Sequence, residues 1–316
     1  MTTNLKLETV MNLQQLEYII AVDTHRHFAT AAEHCFVTQP TLSMMIQKLE
    51  DELGLKIFDR SRQPVEPTPE GKKIISRARH ILVQTNELKS FAREQTHETN
   101  GELRLAVIPT LAPYILPYFL GKMSERYPKL SITVREANTL QIIEMLKHGQ
   151  TDVGLLSTPL NEAQIKEYPL FYEELMAYTD VPQRHSKLVP ADLDPDKLWL
   201  LEEGHCFRAQ VLNYCELRKN AKTKPNLVYE AGSIQTLINM VDGQGGTTIV
   251  PQLATLSLNA AQKKKLQRFT APAPVREVSL VTHLHFSRNK ILEALKAEIL
   301  DNVPIKNMKE KKVLEI

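Results

Sequence analysis

The apolar residues of this chain repeat in two different ways on either side of residue 100, and no single layer of structure accommodates both. Before it they recur three and four positions apart, the period of a helix. After it, short apolar runs alternate with amphipathic stretches, the texture of strands and helices in turn. With 316 residues the chain is also longer than one ordinary core serves. A mainly α N-terminal part followed by an α/β region is expected.

In the N-terminal part, Leu13, Leu16, Ile19 and Ile20 form a helical stripe. Phe28, Ala29, Ala31 and Ala32 begin a second short helix, closed by Cys35, Phe36 and Val37. Thr38 then stands where a helix cap belongs, and Pro40 is tolerated in the first turn that follows. Leu42, Met45, Ile46 and Leu49 give this third helix a buried face, while Gln39, Thr41, Ser43, Gln47 and Lys48 line the other. Such a polar face suits the recognition helix of a helix-turn-helix, where Gln can pair with adenine in the major groove. An ordinary three-helix module with a solvated face has the same pattern. Lys56, Arg60 and Arg62, set among Pro64, Pro67 and Pro69, read as a short β-wing with three cations aimed at phosphate. From 69 to about 97 the pattern is one long helix. Its Ile74, Ala78, Ile81, Thr85, Leu88 and Ala92 alternate in steps of four and three, a seam that would join two chains. Residues 96–100 break it and would act as a hinge.

Beyond residue 100, strands are expected at 103–108, 130–135 and 152–156, with helices at 114–127 and 140–148. This βαβαβ succession predicts an open parallel sheet with helices on both faces. Further strands are expected at 175–178, 198–201, 227–229, 248–250 and 278–282, and helices at 206–219, 234–241 and 289–300. Such sheets bind ligands beyond the carboxyl ends of their strands, where Thr110 and Thr139 fall. A cap for the following helix is the plainer reading of each.

Two of the three cysteines, Cys206 and Cys215, are nine positions apart in the stretch expected to be helical. A helix would separate their Cα atoms by about 13 Å, whereas a disulfide needs roughly 4.4–6.8 Å. Helix and bond exclude each other, the geometry that a redox switch requires. His205, Arg208 and the start of a helix all favour thiolate at Cys206. Two buried structural cysteines fit the same residues. A zinc site would draw at most three ligands from His205, Cys206 and Cys215. Cys35 reads as a core residue.

The net charge of +2 gives no bulk attraction for nucleic acid, so DNA binding must rest on local placement. No apolar run approaches about 18 residues, and residues 1–10 carry Lys6 and Glu8 without an apolar core. A cytoplasmic protein without membrane contact is expected, where persistent disulfides are rare. Nothing points to a cofactor or a metal. The tail at 302–316, with Lys306, Lys309, Lys311 and Lys312, has no expected element and would lack structure.

Several of these segments carry a resemblance. Phe28-Ala29-Thr30-Ala31-Ala32, Val37-Thr38-Gln39-Pro40-Thr41-Leu42-Ser43, Leu49-Glu50-Asp51-Glu52-Leu53-Gly54 and Phe58-Asp59-Arg60 resemble the winged helix-turn-helix of LysR-type transcriptional regulators. The later part is similar to their effector-binding region, itself similar to periplasmic binding proteins. His25-Arg26-His27-Phe28, Ile108-Pro109-Thr110, Glu136-Ala137-Asn138-Thr139 and Gly204-His205-Cys206-Phe207-Arg208 with Cys215 resemble the peroxide-sensing members.

The resemblance implies a regulator and not an enzyme, although a thiol peroxidase built on Cys206 and a regulator that binds a metabolite are the alternatives. It implies a winged helix-turn-helix at 1–68, a linker helix and hinge at 69–100, a regulatory domain at 101–301 and a tail at 302–316. Within the regulatory domain, one subdomain would take about 101–170 and 276–301, the other about 171–275. Cys206 would be the peroxidatic cysteine and Cys215 the resolving one, bonded reversibly to switch on oxidative-stress genes. Thr110, Thr139, His205, Arg208 and Arg276 would support the peroxide site. Thr38, Gln39, Pro40, Thr41, Ser43, Gln47, Arg60 and Arg62 would face double-stranded DNA at promoter half-sites. Homodimers and homotetramers, RNA polymerase, and a thiol reductant such as glutaredoxin or thioredoxin complete the implied partners. Two departures stand out: residues 1–10 precede the usual start, and Ala209 stands where an acidic residue is often found.

Overall fold

The computed structural model describes residues 11–94, 100–181, 187–194, 197–201, 206–214, 231–305 and 311–314. It falls into two compact units, residues 1–95 and 96–316.

The first unit contains α1 (Leu13–His25), α2 (Phe28–His34), α3 (Gln39–Leu53), the antiparallel pair β1 (Phe58–Asp59) and β2 (Glu66–Pro67), and α4 (Pro69–Glu94). Asn12 caps α1 in a reciprocal pair with Gln15, and Thr38 caps α3 through the Thr41 N–H. Gly54 ends α3 at φ +68°, a left-handed turn that side chains resist. Leu16, Ile19, Leu42, Ile46, Leu49, Ile57, Ile75 and Ala78 meet in one core. Glu50, buried in that core, accepts the Ile57 and Phe58 N–H groups at 2.8 and 3.3 Å and so anchors the wing to α3. Gly71 lets the first turn of α4 press on the wing: a Cβ there would lie 2.0 Å from the Ile57 carbonyl oxygen.

Cys35, Phe36 and Val37 close the second helix as expected: Phe36 turns left-handed at φ 57°, its N–H meets the Glu33 carbonyl, and the Val37 N–H meets the Ala32 carbonyl. Phe36 itself is 95% exposed, while Cys35 and Val37 pack on the core. The seam on α4 is corrected, since it is not continuous. Ile74 and Ala78 pack into their own unit with Ile75 and Leu82, whereas Ile81 and Leu88 are 38% and 70% exposed. The heptad spacing coincides with the stripe of an ordinary packed helix over the first turns, so sequence alone assigns both to one face.

The second unit begins with β3 (Gly101–Val107), α5 (Ala112–Arg126), β4 (Leu130–Glu136), α6 (Thr139–Lys147) and β5 (Val153–Thr158). β3 pairs in parallel with both β4 and β5. Gly154 admits α6 against β5, since a Cβ would lie 2.7 Å from Ile142 and Val281 side chains. Then come β6 (Ile165–Thr179), α7 (Cys206–Tyr214), α8 (Ile234–Gln244), β7 (Thr247–Pro251), α9 (Gln252–Thr255), α10 (Ala260–Lys263), β8 (Leu266–Gln267), β9 (Ala273–His283), α11 (Asn289–Asn302) and β10 (Lys311–Val313).

The sheet runs β4-β3-β5-β9-β6-β7, with β10 beside β9 and β8 beside β6. The parallel pairing expected of the βαβαβ succession holds for β4, β3 and β5, but the sheet as a whole is mixed, because β5–β9, β9–β6 and β6–β7 pair antiparallel. The strands expected at 175–178 and 278–282 are parts of the much longer β6 and β9. At 198–201 there are isolated bridges from Leu198 to Thr247 and from Leu201 to Ala231, not a strand. The strand expected at 227–229 and the helix beyond 214 lie outside the described residues.

Two hydrophobic cores share this sheet. β6 gives Ile165 and Phe171 to the first, and Leu175, Met176, Ala177 and Tyr178 to the second. Between them it carries Glu173, paired across the ladder with Arg276 of β9. The tail is corrected too: Lys311–Val313 forms β10, parallel to Ala273, Pro274 and Val275 of β9. No helix among the described residues is long and apolar enough to cross a membrane.

Candidate functional site

Arg276 and Glu173 are both wholly buried where the two long strands pass from one core to the other. Arg276 donates from Nε to Glu173 Oε2 at 2.8 Å, and its Nη2 lies 2.7 Å from the same oxygen. Nη1 reaches the Thr110 hydroxyl at 2.9 Å, and Nη2 the Thr110 carbonyl at 3.1 Å. The Thr110 hydroxyl therefore accepts and keeps its own proton to donate. Glu173 uses Oε1 to take the Leu253 N–H at 2.7 Å, tying α9 into the same network. Buried charges of this kind persist only when both partners are satisfied in this way. Burial raises the Tyr114 phenol above its usual range, against the pull of Arg276 and with a push from Glu173, so Tyr114 stays neutral beside the pair.

The guanidinium carbon of Arg276 lies 5.4 Å from the centroid of the Phe207 ring, a cation–π contact. Phe207 is the second residue of α7, so this contact sets the backbone of Cys206 next to Arg276. Arg208 points elsewhere, its Nη1 holding the Leu201 carbonyl at 2.6 Å. The Cys206 side chain, His205 and Cys215 lie outside what is described. Thr139 opens α6 but does not cap it; Asn138 does. Its hydroxyl is buried and has no hydrogen-bond partner among the described residues. Nor is Thr110 a cap, since α5 begins without a side-chain cap bond. Both threonines lie three residues beyond the paired positions Val107 and Glu136 of adjacent parallel strands. Ser157, at the end of β5, adds a second buried hydroxyl with no partner among the described residues.

In the first unit, Thr38, Gln39, Pro40, Thr41 and Gln47 are exposed along α3, and Ser43 is half-buried. Arg60 donates to Ser43 at 3.1 Å, lies 3.4 Å from Glu50 and stacks over Phe28 at 5.1 Å. Lys56 also meets Glu50, at 3.3 Å, and Arg62 meets Asp59 and Glu66 at 3.2 and 2.9 Å. All three wing cations are thus held by carboxylates of their own unit.

Residues 13–72 match the bacterial regulatory helix-turn-helix protein, lysR family, and residues 96–304 match the LysR substrate binding domain. The chain belongs to the LysR family of transcriptional regulators.

Within that family this LysR-type chain is OxyR-like. It is 37% identical over 277 residues to the hydrogen peroxide-inducible genes activator of Haemophilus influenzae, covering 86% of this chain and 90% of that one. A solved full-length OxyR variant of Pseudomonas aeruginosa superposes with a TM-score of 0.76 at 31% identity, covering 93% of this chain and 99% of that one. The regulator EstR of Acinetobacter baylyi is 35% identical over 279 residues, covering 86% and 90%. Members of this family are DNA-binding regulators rather than enzymes. Of the residues expected to support the site, Thr110 and Arg276 meet in this buried network, and Glu173, Phe207 and Tyr114, which complete it, were not among those expected. The signal for Glu173 was present: a Glu-Glu pair at 173–174 interrupts the otherwise uncharged run from Tyr168 to Tyr178.

Proposed function

We propose that this protein is a hydrogen peroxide sensor that controls transcription through a reversible Cys206–Cys215 disulfide. One observation carries the reading: Cys206 is the first residue of a nine-residue helix whose next side chain lies against buried Arg276. The helix start favours thiolate at that residue. Arg276 contributes less than its charge suggests, because Glu173 neutralises it. Thr110 can donate, and the unpartnered Thr139 hydroxyl can donate or accept, which suits a small molecule with two hydroxyls.

The thiolate of Cys206 attacks one peroxide oxygen, breaks the O–O bond and releases water after protonation, leaving a sulfenic acid. The Cys215 thiol then attacks that sulfur and displaces a second water, forming the disulfide. A dithiol reductant such as glutaredoxin or thioredoxin returns the two electrons. The bond cannot form while α7 is intact. Across Cys206–Tyr214 a helix spans about 12 Å. One more residue recovers at most about 3.8 Å, which leaves more than the ~6.8 Å a disulfide tolerates.

The rest of the proposal follows from that opening. Residues about 101–170 with 276–301 and about 171–275 act as two subdomains that repack when α7 opens. Thr38, Gln39, Pro40, Thr41, Ser43 and Gln47 face promoter half-sites, with Arg60 and Arg62 holding the wing. α4 joins dimers through Ile81 and Leu88, dimers join as tetramers, and the assembly recruits RNA polymerase. The test is thiol mass mapping with DNA footprinting after one equivalent of peroxide. A Cys206–Cys215 bridge with an altered footprint is expected; no bridge, or a bridge with an unaltered footprint, would end the proposal. The match of residues 96–304 to the LysR substrate binding domain favours a second reading, a metabolite held by Thr110 and Thr139. That reading predicts thermal stabilisation by a small acid with the thiols blocked.

A further inference from the structure

The described tail does something that its sequence does not announce. β5 pairs with β9 only from Glu277 onward, and β10 takes the neighbouring length, Ala273 to Val275, on that strand. The ladder runs one residue further, where the Leu314 N–H donates to the Val275 carbonyl at 2.9 Å. The next residue of β9 is Arg276. The Leu314 side chain is buried in the second core, the same core that takes Phe207 and Val211 of α7. The Leu314 carbonyl accepts from Gln210 Nε2 at 3.0 Å, and Gln210 is wholly buried. Residues 207, 210 and 211 are one face of α7, and the tail closes that face.

Over its described residues, Cys206–Tyr214, α7 is short, and helices of that order depend on what they pack against. Gln210 also has a buried Oε1 with no partner among the described residues, so it has little else to hold it. We propose that residues 311–314 are a strap that stabilises α7 as a helix and thereby sets how readily Cys206 reaches Cys215. The inference rests on the redox reading above and gives it a regulator: the bond needs α7 open, the strap needs it closed. By linkage, whatever the strap adds to the helix it subtracts from the disulfide. Oxidation of the two thiols by one peroxide, releasing two waters, would loosen the tail, and a loosened tail would favour oxidation.

The test compares the full chain with a chain ending at Ile305 and with Leu314→Asp. Amide exchange of residues 207–214 is measured on the reduced proteins, and the Cys206–Cys215 equilibrium is measured in glutathione buffers. Without the strap, exchange in α7 should quicken about tenfold, from the loss of one buried hydrogen bond and its packing. The redox equilibrium should move toward the disulfide by a similar factor. Protection in α11 should not change, and a peptide of residues 306–316 added to the shortened chain should restore protection in α7. Unchanged exchange in α7 in both variants would overturn the strap even if the disulfide forms normally. If no disulfide forms in any of the three proteins, it is the redox reading that fails, and the regulatory role with it.

Discussion

Replacing Glu173 with Gln keeps the shape of the Arg276 contact and removes its countercharge. Arg276 would then be buried with neutral partners, the Gln amide oxygen and Thr110, and no countercharge among the described residues, a situation that costs about 3–5 kcal/mol when one charge of a buried pair is lost. Urea unfolding of Glu173→Gln should show that loss, and a change below about 1 kcal/mol would mean that the pair contributes little. The pair joins residues 103 positions apart, and that separation explains why its acidic half escaped notice. Arg276 was legible because it matches a family pattern. Glu173 shows only as a charge in an apolar run, and a strand can put such a residue on either face. Thr110 and Thr139 were placed correctly at strand ends, but whether each caps a helix depends on neighbours that no spacing reveals. Here Asn138 takes the capping role and frees Thr139.

At the scale of elements, the first unit was the more legible because its signals are local. The Thr38 cap, Pro40 and the Gly54 terminator lie within the helix they bound. Gly71 is different, since it answers to the wing and not to α4. Gly71→Ala would bring a Cβ into the Ile57 carbonyl, and unfolding should show a loss of about 3 kcal/mol. A loss under about 0.5 kcal/mol would show that α4 can shift without cost. β6 and β9 were underestimated because Pro169 breaks the alternation of β6, where the register shifts. β10 could not be read at all: three residues, two of them lysine, carry no pattern. At the exposed side of α8, Asp242 meets Tyr178, Gln262 and Lys265. Burial pushes its carboxyl up, but hydrogen bonds from Gln262, Lys265 and Tyr178 and the Lys265 charge outweigh that and hold it below its usual range. A lowered folded value means that its contribution is full above the unfolded value of about 3.9 and fades as pH falls through the folded one. Asp242→Asn should therefore flatten the acid limb of the stability curve below about pH 4 and leave the neutral slope alone. An unchanged acid limb would show that the network is not coupled to folding.

For the whole molecule, exposed Leu88 on α4 is the place where assembly can be tested apart from folding. Leu88→Asp should lower the mass seen by sedimentation and leave the melting of the first unit within about 0.5 kcal/mol of the parent. An unchanged assembly would remove α4 from the interface. The larger claim is that α7 has a helical state without the disulfide and an open state with it, and that peroxide moves the chain from one to the other. Burial, with a push from the Glu17 carboxylate, raises the Cys35 thiol above its usual range, so Cys35 should stay reduced throughout and, alkylated after unfolding, serve as an internal reference. The most direct measurement is amide exchange across residues 207–214 before and after one equivalent of peroxide, on the same protein. The account predicts protected amides in the reduced chain and their loss once Cys206 and Cys215 are joined; equal protection in both states, with the bond present, would contradict it.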